Sequence, residues 1–435
     1  MRNLYRKFKD SAGVCIDTRK LREGEMFFAL KGPNFNANEF ALPALKNHAS
    51  YAVVDDPALK NTHPGIILVD DVLKSMQQLA LYHRRQFKGH LLALTGSNGK
   101  TTTKELLHAV LKNKFNTHAT VGNYNNLIGL PFTILNCPEE CEFLILEMGA
   151  NTTGEIKQLC EIAEPNYGMI TNIGKAHIEG FKSIEGVKKA KGELYDFLAK
   201  SQGIAFVNLN EPFLQNLSKS IEKRIFYSTL ESGDSEDVIT RTRLIKKHPF
   251  LSVEYQNKHE KWIPVQSKLP GAYNYHNIAA AIVVGKYFDL SDGEIQNGIE
   301  GYSPVNNRSQ WMKKDDNQFF MDAYNANPSS LRASVFDFLE NCPNPKILIL
   351  GDMLELGESS LKEHRQIVDE LLSQKDNYEQ LWLVGSEFGK LRPEKDVLFF
   401  ETSTEAKVHL QNLKLKNHYL FIKGSRGILL EKIIA

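Results

Sequence analysis

The chain has 435 residues, with 53 Lys+Arg against 52 Asp+Glu and a formal net charge of +1. That length calls for two to four domains, with three as the working number. The balanced charge excludes a whole-molecule field able to hold nucleic acid, so an anionic substrate must be met by a local site.

Residues 1–88 alternate short strand-like runs, MFFAL at Met26–Leu30, YAVV at Tyr51–Val54 and GIILV at Gly65–Val69, with polar and helical stretches. A small α/β domain is expected there. The basic N-terminus MRNLYRKFKD has no apolar stretch behind it, and no later run approaches the ~20 apolar residues of a membrane span. A cytoplasmic protein without integral membrane association follows as an expectation.

At Leu91–Thr95 the apolar run LLALT enters GSNGKTTT and then KELLHAVLKNK, where Leu106, Leu107, Val110 and Leu111 share one helical face. FLILE (Phe143–Glu147), GMITN (Gly168–Asn172) and IAFVN (Ile204–Asn208) follow, separated by helical patterns, as in a parallel sheet covered on both faces. From about Gly233 to Pro270 the alternation in FLSVEY and KWIPVQ predicts an antiparallel insertion, which ends at the helix HNIAAAIVVGKYF. After Arg308, KILILGD, QLWLVG, VLFF and YLFIKG predict a second doubly wound sheet. The expected domains are thus 1–88, 89–307 and 308–435, all α/β. Five cysteines without CxxC spacing argue against both a disulfide framework and a zinc site.

Gly96-Ser97-Asn98-Gly99-Lys100-Thr101-Thr102 is a GxxGKT phosphate loop, shorter than the common G-x-x-x-x-G-K-[ST] form because Leu94 stands five residues before Gly99. Its glycines let backbone N–H groups wrap a phosphate, Lys100 adds a point charge, and the helix N-terminus adds a positive dipole. The Thr101 hydroxyl is placed to bind Mg²⁺. The loop does not distinguish ATP from GTP.

Glu147 ends a strand at the carboxyl edge of this sheet, where such folds bind ligands, and is a candidate Mg²⁺ ligand. His177 follows the next strand at the same edge, as a second ligand or a structural histidine. Lys191 lies in SIEGVKKAKGELYDFLAK at the edge of the stripe Val187, Ala190, Leu194, Phe197 and Leu198. A partly desolvated lysine has a lowered pKa and can react as the neutral amine with CO₂. A snorkelling lysine is the plainer reading of the same pattern.

In order along the chain, Thr95–Thr102, Gly122–Pro131, Glu147–Ala150, Thr171–Glu179, Lys191–Leu194, His276-Asn277, Arg308, Asp322–Pro328 and Lys423–Arg426 resemble the signatures of the Mur ligases, across all three expected domains. Glu147-Met148-Gly149-Ala150 with Gly154-Glu155-Ile156, and Tyr324-Asn325-Ala326-Asn327-Pro328, resemble the branch that adds D-alanyl-D-alanine, and the Asp-Asn-Pro-Arg signature of the diaminopimelate-adding branch is absent. Asp17-Thr18-Arg19 and Gly24–Leu30 look like the family's uridine-nucleotide domain, although its Asp-Gly-His segment reads Asn36-Ala37-Asn38 here.

The resemblance implies an ATP-dependent ligase acting on UDP-N-acetylmuramoyl-tripeptide and D-alanyl-D-alanine through an acyl phosphate, for peptidoglycan synthesis. It implies Mg²⁺ held by Thr101 and Glu147, a second Mg²⁺ held by His177 and carbamylated Lys191, and Lys100 on the phosphates. It places His276 and Asn277 near the adenine, Arg308 at the phosphates and Asp322 at the ribose. Asp17, Thr18, Arg19, Asn123, Asn125 and Asn126 are implied contacts of the nucleotide sugar, the three asparagines being also ordinary turn formers. Tyr324, Asn325 and Asn327 are implied contacts of nucleotide or dipeptide. A monomer is expected. The rival readings are another Mur ligase, a folylpolyglutamate synthetase-like ligase, or a non-catalytic nucleotide-sugar-binding protein.

Overall fold

The computed structural model describes residues 1–176, 178–229, 238–305, 307–391 and 397–434. His177 therefore lies outside the described residues. Three large sheets follow one another along the chain, with a small antiparallel ribbon, Lys31–Gly32 against Phe35–Asn36, in the first lobe.

The first sheet is four-stranded and parallel, in the order Val14–Cys15, Met26–Phe28, Tyr51–Val54 and Ile66–Leu68. The strand Val14–Cys15 is too short and too polar in its surroundings to stand out by pattern. Its outer edge is covered by a side chain: Asn136 Oδ1 accepts the Val14 N–H at 3.0 Å, and Asn136 Nδ2 donates to the Val14 carbonyl at 3.1 Å. An amide side chain thus stands in for the missing neighbour strand.

The helix Val72–Arg84 leads out of this sheet and packs on Gly129–Leu135 and Glu155–Ala163 of the central lobe. Its Val72, Met76, Leu79 and Ala80 belong to one apolar core with Leu130, Ile134, Ile156 and Leu159. Beside them His83 meets Tyr5 (Tyr5 Oη to Nδ1, 3.3 Å) and the edge of Phe8, and burial pulls its pKa down to about 4. An unfolded histidine titrates near 6.5, so between pH 6.5 and 4 the unfolded chain binds a proton that the folded chain does not. Folding stability should fall as pH drops through that window. His83→Phe should flatten this part of a plot of thermal midpoint against pH; an unchanged slope would show that other groups set it.

The central sheet has nine strands, in the order Trp262–Gln266, Ser252–Gln256, Val238–Lys246, Lys223–Thr229, Ile204–Asn208, Tyr167–Ile170, His90–Thr95, Phe143–Glu147 and Thr117–Ala119. The apolar runs form its parallel centre because both faces are covered: helices Lys100–Leu111 and Tyr275–Tyr287 lie on one face, Glu155–Ala163 and Ile184–Ser201 on the other. The stretch expected as an antiparallel insertion extends this same sheet. Val238–Lys246 pairs in parallel with Lys223–Thr229, and only the next two strands run antiparallel. Lys223–Thr229, with its polar KR and ST ends, escapes an apolar-run search.

His90–Thr95 has Phe143–Glu147 on one side and Tyr167–Ile170 on the other. The chain reverses its direction of travel across the sheet at this strand, and the carboxyl ends beside such a switch open a crevice. The third sheet runs Gln310–Lys314, Asn317–Asp322, Tyr419–Lys423, Lys346–Gly351, Gln380–Val384 and Val397–Phe400. Its first pair is an antiparallel hairpin and the rest is parallel. The hairpin's second strand ends at Asp322, facing the same crevice. No described helix is long and apolar enough to cross a membrane. All five cysteines are free.

Candidate active site

The crevice is a cleft of about 670 Å³ between the central and third lobes. Its walls include Ser97, Asn98, Gly99, Lys100, Thr101 and Thr102 of the phosphate loop, Asn123, Asn125 and Asn126 from the loop after Thr117–Ala119, Glu147 from the central sheet, and His276 and Asn277 from the helix behind the loop. Arg308, Asp322, Tyr324, Asn325 and Asn327 complete it from the other side.

The phosphate loop is held by the neighbouring strand's exit. Ser97 N–H donates to the Asn172 carbonyl at 3.0 Å, Asn98 N–H to Asn172 Oδ1 at 2.9 Å, and Thr171 Oγ1 to the Asn98 carbonyl at 2.6 Å. Gly96 has φ +147°, and a Cβ there would stand 1.9 Å from Thr171 Oγ1, so a side chain would push the two strand ends apart. Gly99 has φ +78° and opens the helix Lys100–Leu111. Lys100 Nζ donates to the Gly96 carbonyl at 2.7 Å across the loop. Burial draws its pKa down, while the Glu147 carboxylate draws it back up.

Asn277 lies beneath this turn. Its Oδ1 accepts from Thr103 Oγ1 at 3.0 Å and its Nδ2 donates to Asn274 Oδ1 at 2.9 Å, so its amide ties the helix Tyr275–Tyr287 to the start of Lys100–Leu111. His276 stacks on Tyr275 at 5.6 Å between ring centroids.

Glu147 is 2% exposed. Its N–H donates to Thr120 Oγ1, and its Oε1 accepts from Asn125 Nδ2 at 2.8 Å. Its Oε2 is buried with no hydrogen-bond partner among the described residues. A buried carboxylate oxygen without a donor is costly unless something cationic takes it up. A carboxylate, a hydroxyl at Thr101 and room for water are the hard oxygen donors that suit Mg²⁺. The described residues alone contain no group of three or more His, Cys, Asp or Glu placed to hold a metal.

Lys191 is more deeply placed than its position at the edge of a helical stripe suggests. It is 0% exposed, on a helix whose Val187, Ala190, Leu194 and Leu198 are also fully buried. Its Nζ donates to the Ala150 carbonyl at 3.4 Å and sits 5.1 Å from the centre of the Phe181 ring. Burial, with the nearby Lys100 ammonium, pushes its pKa down to about 7. A neutral amine is therefore accessible near physiological pH, directly behind the cleft wall formed by Ala150.

From the third lobe, the Arg308 guanidinium lies 3.6 Å from the centre of the Tyr324 ring, and Arg426 lies 5.1 Å from the same ring. Asp322 pairs with Lys423 and its Oδ1 accepts the Ser309 N–H at 3.2 Å. Asn325 Oδ1 turns back to the Ala326 N–H at 2.9 Å, and Asn327 caps the helix Pro328–Asn341.

Asp17, Thr18 and Arg19 form a short turn in the first lobe and do not line this cleft. Asp17 accepts from Arg19 Nε at 2.9 Å, and that pairing holds its carboxyl down at about 2. Asn38 is buried and bridges Asn36 Oδ1 and Asp55 Oδ1 with its Nδ2, at 2.8 Å each.

Glu155, Asn172 and Lys423, which the sequence marks only as members of family-like stretches, also line the cleft, as do Glu211 and Ser329, which it does not mark. Glu211 follows the strand Ile204–Asn208 at the carboxyl edge, the same signal that exposes Glu147, and burial pushes its carboxyl up to about 7.

Residues 94–285 match the Mur ligase middle domain, and residues 307–426 match the Mur ligase, glutamate ligase domain. The UDP-N-acetylmuramoyl-tripeptide--D-alanyl-D-alanine ligase of Bacillus subtilis is 34% identical over 435 residues, which cover 97% of this chain and 92% of that one. The chain belongs to the Mur ligase family. Among solved structures it is similar to MurF from Acinetobacter baumannii, with a TM-score of 0.86 and 28% identity over 99% of this chain and 97% of that one. It is also similar to the MurF ligase from Thermotoga maritima in complex with ADP, with a TM-score of 0.84 and 26% identity over 98% and 97% of the two chains. This Mur ligase therefore shares its architecture with enzymes of the D-alanyl-D-alanine-adding branch from end to end.

Proposed function

We propose that this Mur ligase uses ATP to join D-alanyl-D-alanine to UDP-N-acetylmuramoyl-tripeptide. The observation that carries the reading is the meeting of Lys100, Thr101 and Glu147 with Arg308 and Asp322 across one cleft. The near-full-length likeness to ligases named for that reaction supports the choice of substrates.

In this reading the tripeptide's terminal carboxylate oxygen attacks the γ-phosphorus of ATP, and ADP leaves. The dipeptide nitrogen then attacks the acyl-phosphate carbon, inorganic phosphate departs with the electrons of the broken C–O bond, and the amine loses its proton. Both steps gather negative charge, so preorganised positive groups should lower the barrier. Lys100 and the amino end of Lys100–Leu111 serve the phosphates, with Arg308 opposite. Thr101 and Glu147 would hold Mg²⁺, which neutralises phosphate charge when bound. Lys191, as its carbamate, and His177 would hold a second one.

His276 and Asp322 would flank the nucleoside, and Asn277 would support the loop beneath it. Asn123, Asn125 and Asn126 would meet the sugar side, with Asp17, Thr18 and Arg19 at the uridine end. Tyr324 and Asn325 would contact nucleotide or dipeptide. The lobes 1–88, 89–307 and 308–435 would then serve nucleotide sugar, ATP and closure respectively. A cytoplasmic monomer suits soluble substrates of this kind.

The test is ADP release with Mg²⁺-ATP, UDP-N-acetylmuramoyl-tripeptide and D-alanyl-D-alanine, each omitted in turn, with the product weighed by mass spectrometry. ADP formed only with all components, and a product heavier by one dipeptide less one water, is the expected result. Turnover with another amino compound alone would overturn the substrate assignment.

A further inference from the structure

A side chain of the third lobe reaches the phosphate loop itself. Asn327 Nδ2 donates to Asn98 Oδ1 at 2.7 Å, across 229 positions of sequence. The direction of that bond is fixed at the Asn327 end. Asn327 Oδ1 is occupied by the Ser330 N–H at 2.9 Å as the cap of Pro328–Asn341, so only its NH₂ can face the loop. The Asn98 backbone is already held: its N–H goes to Asn172 Oδ1, and its carbonyl accepts from Thr171 Oγ1 and Asn172 Nδ2. The Asn98 side chain is the part of this loop residue left to reach the opposite lobe.

We infer that Asn327 is a positioning residue that couples docking of the third lobe to the shape of the phosphate loop, rather than a contact of dipeptide or nucleotide. Its amide spends one arm on the helix and the other on Asn98. Asn98 immediately precedes Gly99 and Lys100, so a pull at its side chain is transmitted to the loop that grips the phosphates. The bond is 7% exposed at Asn327, where competition from water is weak. A second contact between the lobes, Lys175 Nζ to Glu363 Oε1 at 2.7 Å, involves no residue of the loop itself and offers a comparison. The inference rests on the ligase reading for its assay but concerns a different question, how closure is read by the loop.

Asn327→Ser is the informative variant. Serine caps a helix about as well as asparagine and is too short to reach Asn98. Wild type, N327S, Asn98→Ala, the double variant and Glu363→Gln are compared for ligation kcat, for KM of ATP and dipeptide, for ADP released per ligated product, and for thermal midpoint. N327S should keep the wild-type midpoint, lose at least tenfold in kcat with KM values changed less than threefold, and release more ADP per product because the acyl phosphate is less well enclosed. The double variant should be no worse than threefold below the weaker single variant, since both break one bond. Glu363→Gln should stay within twofold of wild type. Independent, multiplying losses would overturn the coupling, as would a raised dipeptide KM with unchanged kcat, which marks a substrate contact. If wild type itself ligates no dipeptide, the substrate assignment fails first, and N327S is then judged by ATP hydrolysis, whose unchanged rate would overturn the coupling.

Discussion

Replacing Lys191 by alanine is expected to abolish ligation, with activity partly restored by small carboxylates such as formate or acetate. The reason lies in where the amine sits. A lysine with 0% exposure, next to the Lys100 charge and hydrogen-bonded only weakly to the Ala150 carbonyl, is poorly placed to remain an ammonium ion. Its neutral nitrogen can attack the carbon of CO₂, forming an N–C bond as one C=O electron pair moves onto oxygen and the nitrogen loses one proton, which turns a neutral amine into an anionic carbamate at the back of the cleft. A buried lysine serving only to fill space would behave differently: the alanine variant would lose stability through its cavity, and no added carboxylate would bring activity back. A spectroscopic readout separates the two without turnover. Protein equilibrated with isotopically labelled bicarbonate should show a carbamate carbon signal that is missing from Lys191→Ala. Absence of that signal from wild type, together with no rescue, would refute the carbamate.

The sequence made the strand–loop–helix at Leu91–Leu111 legible because three independent patterns coincide there: an apolar run, a glycine spacing and a helical stripe ending in Leu106, Leu107, Val110 and Leu111, all fully buried. The central parallel strands Phe143–Glu147, Tyr167–Ile170, Ile204–Asn208, Lys346–Gly351, Gln380–Val384 and Tyr419–Lys423 were legible for the same reason, since strands covered on both faces are continuously apolar. What escaped were elements whose stabilisation comes from elsewhere. Val14–Cys15 is completed by the Asn136 side chain, 122 positions away, and Val238–Lys246, held between Lys223–Thr229 and Ser252–Gln256, has no continuous apolar run. The same distinction divides the site. Glu147 could be found because it ends an apolar strand at the carboxyl edge, whereas the depth of Lys191 depends on Phe181 and Ala150 folding over it, which helical periodicity alone cannot report. The Asn98–Asn327 bond crosses between lobes and has no local signature at all.

Glu147→Gln tests the other end of the site with almost no change of shape. The variant keeps an oxygen for the Asn125 Nδ2 donor, but it exchanges the unpartnered Oε2 for an uncharged NH₂ group. If Oε2 were merely a tolerated orphan, removing its charge would relieve a desolvation cost, and the protein should become more stable with activity little changed. If instead it is a carboxylate kept for Mg²⁺, the loss of one anionic ligand should cost several kcal/mol of charge stabilisation in the transition state, or a fall in kcat of at least about 100-fold. The two cases also differ in how nucleotide binding responds to metal. Wild type should bind ADP more tightly when Mg²⁺ is added, and Glu147→Gln should lose most of that gain while binding metal-free ADP as before, because Lys100 and the loop N–H groups are untouched. Isothermal titration with and without Mg²⁺ reads this directly. An equal Mg²⁺ enhancement in both proteins would remove Glu147 from the metal's ligands, and the unpaired oxygen would then need another explanation.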